Sequence, residues 1–419
     1  MADNMNKIDK LIKELCPDGV GFKELWEVTA WDKRFNGVEK NKQSKILSYN
    51  HTSSKNLKKL EKKTGNIKLL ATGKFDGWTS EELAGKNLNE GEVITIPSGG
   101  SASIKYYNGK FVDSGNILAS SINDEILNLK YCYYFLLIKN ELIESYFRGA
   151  GVKHPNMTEV LKIKIPLPPL PIQEEIVKIL DSFAELEAEL EAELEARKKQ
   201  YEYYRDDMLK YHDEVEWKTL GEITHIFSAS RVHKNEWTTS GVPFYRSSDV
   251  ISIFNGVENS RGKAFISNEL YEALSSKSGK IQENDILITG GGTIGIPYVV
   301  PTNEPLYVKD ADLLCIQKSK TLYSKFLYHY FLTTKFRLYL NKITHNATIA
   351  HYTISQIANT PVPIPPLAEQ ERIVKILDKF DSLVNDISIG LPAELEARRK
   401  QYEYYRGKLL TFKEKLLTN

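Results

Sequence analysis

The stretch "IPLPPLPIQEEIVKILDSF", Ile165 to Phe183, returns as "VPIPPLAEQERIVKILDKF", Val362 to Phe380, at an offset of 197 residues. Farther on, "ARKKQYEYYR" (Ala196 to Arg205) returns as "ARRKQYEYYR" (Ala397 to Arg406), now at an offset of 201. The second copy therefore inserts four extra residues between its two strong blocks. Weaker echoes connect the rest: "VGFKELWEV" from Val20 with "VEWKTLGEI" from Val215, and "GEVITIPSGGSASI" with "NDILITGGGTIGIP". So long a period does not suit a solenoid of small repeats; it marks a duplicated domain.

Each copy reads as a globular stretch followed by a helix. Short β-branched runs such as "EVITI" and "DILIT" are punctuated by Gly, Asn and Ser, with a helical stretch near the end, which predicts mixed α/β domains over 20–165 and 215–362. "PLPPLP" and "PIPPLA" are stiff, extended leaders, because proline cannot continue a helix interior but is tolerated where a helix begins. Ile176, Leu180, Phe183, Leu186, Leu190 and Leu194 then recur at spacings of three or four, and "AELEAELEAELEA" supplies strong helix formers. The expected helix runs through Tyr201, Tyr204 and Met208, about 40 residues and roughly 60 Å long. Its natural partner is its duplicate, from Pro365 to about Leu417, with Ile373, Ile376, Leu377, Phe380 and Leu395 on a comparable stripe. The expected fold class is thus α+β. An N-terminal helix at 1–19 precedes the first domain at 20–165, a spacer helix at 166–214, the second domain at 215–362 and a second spacer at 363–419.

Composition limits the function classes. The 419 residues are 41% hydrophobic with a formal net charge of +1, as in a multi-domain globular protein without a basic or acidic tail. The start "MADNMNKIDKLIKELCPDG" lacks an apolar core of signal-peptide length, and no stretch approaches the roughly 18–20 apolar residues of a membrane span. A cytoplasmic location away from membranes is the expectation. Cys16, Cys132 and Cys315 lie far apart, form no CxxC pair, and read as buried thiols.

The search for catalysis comes back empty. "TGGGTIG" (Thr289 to Gly295) and "PSGGSAS" (Pro97 to Ser103) lack the Gly-Lys-Ser/Thr of a phosphate-binding loop. The Pro-Pro pairs, Pro168-Pro169 and Pro365-Pro366, follow Leu167 and Ile364 rather than the Asn or Asp that an amino-methyltransferase places there to hold its amine. Pro17-Asp18 with Glu61-Lys62-Lys63 is too degenerate to define a metal nuclease, and no metal site is expected.

What remains suits DNA. Residues 21 to 165 carry 22 Lys and Arg against 16 Asp and Glu, concentrated in "KNKQSKILSYNHTSSKNLKKLEKKTGNIK" from Lys40 to Lys68. Such lysines neutralise phosphates, while polar side chains on loops read base edges. Lys42, Lys45, Lys58 and Lys59 are therefore candidate contacts, each balanced by a plain reading as a solvated surface lysine. Lys153 and His154 in "GVKHPNMT" align with Ala350 and His351 in "IAHYTIS", and a structural role for each histidine competes with a base contact. Ser101 and Thr293 sit in the glycine-rich loops, where backbone can approach DNA closely or simply make a tight turn. Arg231, Arg246 and Arg261 are candidates for guanine or phosphate, or for ordinary salt bridges. The acidic helix run reads as a solvated face. Tyr201, Tyr204, Arg205, Tyr402, Tyr405 and Arg406 read either as packing or as a docking surface for a partner protein.

The doubled "PLPPL…Q..IV.ILD" block, each copy followed by a helix ending "ARKKQYEYYR" or "ARRKQYEYYR", resembles the DNA-specificity subunit of type I restriction-modification systems across the whole chain. The resemblance implies two target-recognition domains separated by two long antiparallel helices with pseudo-twofold symmetry, each domain reading half of a split site in double-stranded DNA. It implies a subunit that is not itself an enzyme and binds no cofactor. Its partners would be two modification subunits, which methylate adenine with S-adenosylmethionine, and restriction subunits, which use ATP and Mg. The rival reading is a two-domain protein-interaction adaptor on a helical spine, with no DNA involved.

Overall fold

The computed structural model describes residues 2–211, 215–257, 264–309, 312–344 and 351–415, the side chains of 2–6 excepted. The chain forms two compact units, Met1–Glu187 with Arg398–Asn419, and Ala188–Ala397. Each unit thus contains one globular stretch, the start of the helix that follows it, and the decamer of the other repeat. The cut falls inside the spacer segments rather than at the expected domain edges.

In the first unit, α1 (Ala2–Leu15) precedes β1 (Gly21–Glu24), β2 (Thr29–Trp31), β3 (Ile67–Ala71), β4 (Asp76–Thr79), β5 (Asn89–Pro97), β6 (Lys105–Ser114) and β7 (Asn116–Ser121). A short hairpin, β8 (Phe147–Arg148) and β9 (His154–Pro155), precedes β10 (Lys164–Leu167). The main sheet runs β2-β7-β5-β6-β3-β4, antiparallel except for β3 beside β6. β6 is shared between two neighbours: Lys105 to Phe111 pair with β5, whereas Phe111 to Ser114 pair with β3. Within the β5–β6 pair Gly91 faces Gly109, both at positive φ (148° and 136°), a conformation that a Cβ would disfavour. Helix α2 (Leu129–Ile138) buries Leu129, Tyr131, Cys132, Tyr134, Phe135 and Leu136 in the core under this sheet.

The second unit carries different sheets. β11 (Glu216–Thr219), β12 (Ile226–Ser228), β13 (Val242–Tyr245), β14 (Phe265–Ile266), β15 (Ile286–Thr289), β16 (Pro297–Val299), β17 (Tyr307–Val308), β18 (Leu313–Ile316) and β19 (Pro361–Ile364) form a four-stranded sheet β12-β18-β15-β16, a three-stranded sheet β14-β13-β17 and the pair β11-β19. Both units are mixed α and β, as expected.

The first spacer is one helix, α3 (Leu170–Met208), of 39 residues. The second is not the single helix its duplication predicts. After α4 (Ser324–Phe331), the spacer segment forms α5 (Leu367–Asn385) and α6 (Leu391–Leu409). The four extra residues fall at this break. Asp386 turns its carboxylate onto the backbone N–H groups of Ser388 and Ile389 and the Ser388 hydroxyl, an Asx turn that competes with helix, and Gly390 and Pro392 complete the interruption. Cys132 and Cys315 are buried free thiols, whereas Cys16 is only half-buried. No helix among the described residues is long and apolar enough to cross a membrane.

Candidate nucleic-acid interface

The repeated block builds the same frame in each unit, and it begins at the prolines. β1 pairs antiparallel with β10, Gly21 opposite Leu167 through Glu24 opposite Lys164, and β11 pairs in the same way with β19. Each pair holds the proline leader beside the start of its domain and aims it into a helix. The glutamine of the motif then closes the joint. Gln173 is fully buried; its carbonyl accepts the Asn128 N–H (2.9 Å) while its amide donates to the carbonyls of Ile126 (2.8 Å) and Pro168 (2.7 Å). Gln370, equally buried, does the same with the Tyr323 N–H (2.8 Å) and the carbonyls of Thr321 (2.9 Å) and Pro365 (2.8 Å).

About two turns beyond each glutamine lies an aspartate. Asp181 accepts from Lys130 (2.7 Å) and the Tyr134 hydroxyl (2.5 Å) on α2. Asp378 receives Lys325 (2.5 Å) and the His329 imidazole (2.9 Å) on α4. Burial pushes the Asp378 carboxyl up, but the bonds from His329 and Lys325 outweigh it and hold the group below its ordinary range. Burial and the Asp181 hydrogen bond together raise the Tyr134 phenol well above its usual value.

The decamers complete the frame. In the first unit Phe183 stacks on Tyr405 (5.6 Å) and leans on Tyr402 (5.9 Å), with Arg399 bonded to Glu187 at 2.6 Å; this piece of α6 therefore runs antiparallel to α3. In the second unit Phe380 stacks on Tyr204 (5.5 Å) and Tyr201 (6.3 Å). Arg205 lies over the Tyr201 ring and Arg406 over the Tyr402 ring, at 5.1 and 5.0 Å. Tyr201 and Arg205 are buried within the unit, which corrects their assignment as a docking surface: they hold helix to helix. The half-buried Tyr204, Tyr402, Tyr405 and Arg406 belong to the same packing. The tyrosines that face outward are Tyr203 and Tyr404, about two-thirds exposed.

At the end of β5, the structure brings together two of the predicted loops. The Gly100 N–H donates to the Lys153 carbonyl (2.8 Å), and His154 Nδ1 lies 2.5 Å from the Ser98 carbonyl oxygen. The Ser98 N–H in turn donates to the Gly115 carbonyl, and the Ala102 N–H to the Glu144 carboxylate. Ser101, Lys153 and His154 are exposed at this joined tip. The second unit repeats the juxtaposition: Gly291 bridges His351, and the Tyr352 N–H donates to the Gly290 carbonyl (2.8 Å). Thr293 and His351 are exposed there.

The lysine-rich segment is pinned to the sheet by a residue that sequence reasoning missed. His51 lies between two buried carboxylates, Asp113 (2.7 Å) and Asp32 (2.9 Å). Asn116 donates to the other Asp113 oxygen at 2.6 Å, and the Leu118 N–H to Asp32 at 2.9 Å. The bonds to Asp113 and then Asp32 raise the imidazole to about 9, so it is charged at neutral pH. In the same segment of sequence, Lys45 and Lys59 are exposed, while Lys42 and Lys58 lie over the rings of Trp26 (5.5 Å) and Phe75 (5.9 Å).

The arginines fare unequally. Arg231 is exposed, and Arg261 lies outside the described residues. Arg246 grips Asp249 with Nε (2.9 Å) and Nη2 (3.0 Å) at the start of a helix and packs on Trp237, so the fork assigned to guanine is already filled. The Asp249 bonds also raise the Arg246 guanidinium further. Among the described residues no cluster of three or more His, Cys, Asp or Glu is arranged to hold a metal ion.

Comparison with known proteins agrees with this doubled architecture. The family model described as the type I restriction modification DNA specificity domain matches twice, at residues 37–196 and 212–397. A putative type I restriction enzyme specificity subunit of Haemophilus influenzae is 36% identical over 339 residues, 77% of this chain and 84% of the relative. The EcoR124I/EcoR124II specificity subunit of Escherichia coli is 32% identical over 367 residues, 83% of this chain and 88% of the relative. The crystal structure of a type I restriction-modification S subunit from M. genitalium shares the fold, with a TM-score of 0.57 at 16% identity over 94% of this chain and 96% of that one. The chain belongs to the type I restriction-modification DNA specificity family.

Proposed function

We propose that this chain is the sequence-reading subunit of a type I restriction-modification complex. It reads a bipartite site in double-stranded DNA, one half per globular domain, and docks two modification subunits and the restriction subunits. The chemistry belongs to those partners, which would bind S-adenosylmethionine, ATP and Mg.

One observation carries this reading: the same frame occurs twice and bears unlike sheets. The strand pair, the buried glutamine, the anchored aspartate and the Phe–Tyr stack recur at equivalent positions, with His329 in the second unit standing where the first has Tyr134. The sheets they carry differ in strand number and order. A shared frame suits equivalent docking to two copies of one partner, and unlike sheets suit two different half-sites.

Exchanging residues 217–362 for the matching domain of a relative tests it. Methylated adenines mapped in cells carrying the whole system should show one half of the site changed and the other retained. Changes in both halves would refute independent reading.

A further inference from the structure

We propose that the joined tip of the first unit, Ser98–Ser101 with Arg148–His154, reads one A·T base pair in the major groove. His154 Nε2 would accept a hydrogen bond from adenine N6, while Val152 packs on the methyl of the paired thymine. The inference rests on the DNA-reading function proposed above and assigns specificity within it.

The tautomer of His154 is set by the fold. A carbonyl oxygen only accepts, so the Nδ1 facing Ser98 must carry a proton. In the neutral ring Nε2 is then a bare acceptor, presented from an exposed residue. An acceptor selects the exocyclic amines, N6 of adenine or N4 of cytosine.

Val152 chooses between them. It is 65% exposed, among the most exposed large apolar side chains described. It stands between two exposed cations, Arg148 and Lys153, in a segment exposed from Arg148 to His154. An apolar group with a positive charge on either side is poorly suited to an apolar protein groove and well suited to a polyanion that displays methyl groups. In the major groove an A·T pair shows its amine and its thymine methyl on neighbouring edges; a G·C pair shows an amine and no methyl. Arg148 pairs directly with His154 across the hairpin, so their side chains leave from one face and the arginine can hold a phosphate or neighbouring base edge.

The tip is also preorganised. Gly149 sits at φ 147°, and a Cβ there would lie 2.8 Å from the Val152 carbonyl oxygen. A Cβ on Gly99 would come within 2.9 Å of the Val152 side chain and 3.3 Å of the His154 ring. The glycines let both side chains seat against the loop, whose backbone is held by Gly115, Lys153 and Glu144.

The test uses V152A and H154A subunits in the complete system, with methylated adenines mapped genome-wide. The relevant half-site is the one that survives exchange of residues 217–362. V152A should broaden one A·T position of that half to admit cytosine in place of adenine, raising methylation of such sites about tenfold. H154A should relax the same position to all pairs. An unchanged consensus with V152A overturns the proposal, including where H154A abolishes methylation through loss of its tie to Ser98; so does relaxation confined to the other half. Failure of the unsubstituted complex to bind its own duplex in a salt-dependent manner would instead overturn the DNA-reading function itself.

Discussion

Deleting one "AELE" unit from α3 is expected to shorten the unspecified gap between the two half-sites by one base pair. The segment Ala184–Glu195 contains three tandem copies of this unit within a 39-residue helix about 58 Å long. Its ends are firmly packed and its middle is not: Phe183 and Tyr201 are buried, at 5% and 3% exposure, and no residue between them is. Removing four residues therefore takes out helix without taking out core. It shortens the helix by about 6 Å and, since four residues turn the helix by about 400°, leaves a net rotation of about 40°. Leu186, Leu190 and Leu194 stay nearly in phase at that interval.

DNA advances about 3.4 Å and turns roughly 35° per base pair. The rotation matches one base pair, and the translation falls between one and two. The second spacer is already interrupted at Asp386–Gly390, a non-helical joint that can follow a change of length in α3. The assay is a map of methylated adenines made by the deletion variant in the complete system. An unchanged gap would mean that the repeat is slack linker, and altered bases in either half would mean that the deletion disturbs reading rather than spacing. Either result refutes the ruler.

Two further predictions concern the frame and the sheet. Gln173→Ala and Gln370→Ala each strand a part-buried N–H and two carbonyls, of which the proline carbonyl is buried, and should each destabilise the chain by about 2 kcal/mol in denaturant unfolding; a loss under about 0.5 kcal/mol would show that water replaces the amide. His51 has its folded-state pKa raised to about 9, above the unfolded value near 6.5, so its contribution is complete below about 6.5 and is lost as pH rises through 9. Stability should fall by about 2–3 kcal/mol across that interval, and H51A should flatten the pH profile; an unchanged profile in H51A would place the titration elsewhere.

What the sequence revealed and what it hid divide along one physical line. Gln173 and Gln370, Asp181 and Asp378, and Phe183 and Phe380 all recur at the offset of 197, so the frame was legible as a repeat, although its roles were not. The tyrosines were legible as aromatic but not as inward or outward: Tyr201 and Tyr203 differ by two positions, about 200° around a helix, and only the neighbouring Phe380 decides which is covered. The His51 cluster left no local pattern at all. Its carboxylates lie 62 residues downstream at Asp113 and 19 residues upstream at Asp32, brought together by the pairing of β2, β7, β5 and β6.

The same line explains how such a protein can change what it reads. The frame's polar contacts lie at the strand pairs, the glutamine joints and the helices, and they engage the domain mainly through main-chain groups before α2 and α4 and a few side chains on those helices. Main-chain partners tolerate any side chain, so sheets and loops beyond them are free to diverge while the joints keep their geometry. The two units are themselves the demonstration, with a six-stranded sheet on one copy and four- and three-stranded sheets on the other. Specificity can therefore drift one loop at a time, as at the Ser98–His154 tip, without disturbing the glutamine joints or the helices that follow them.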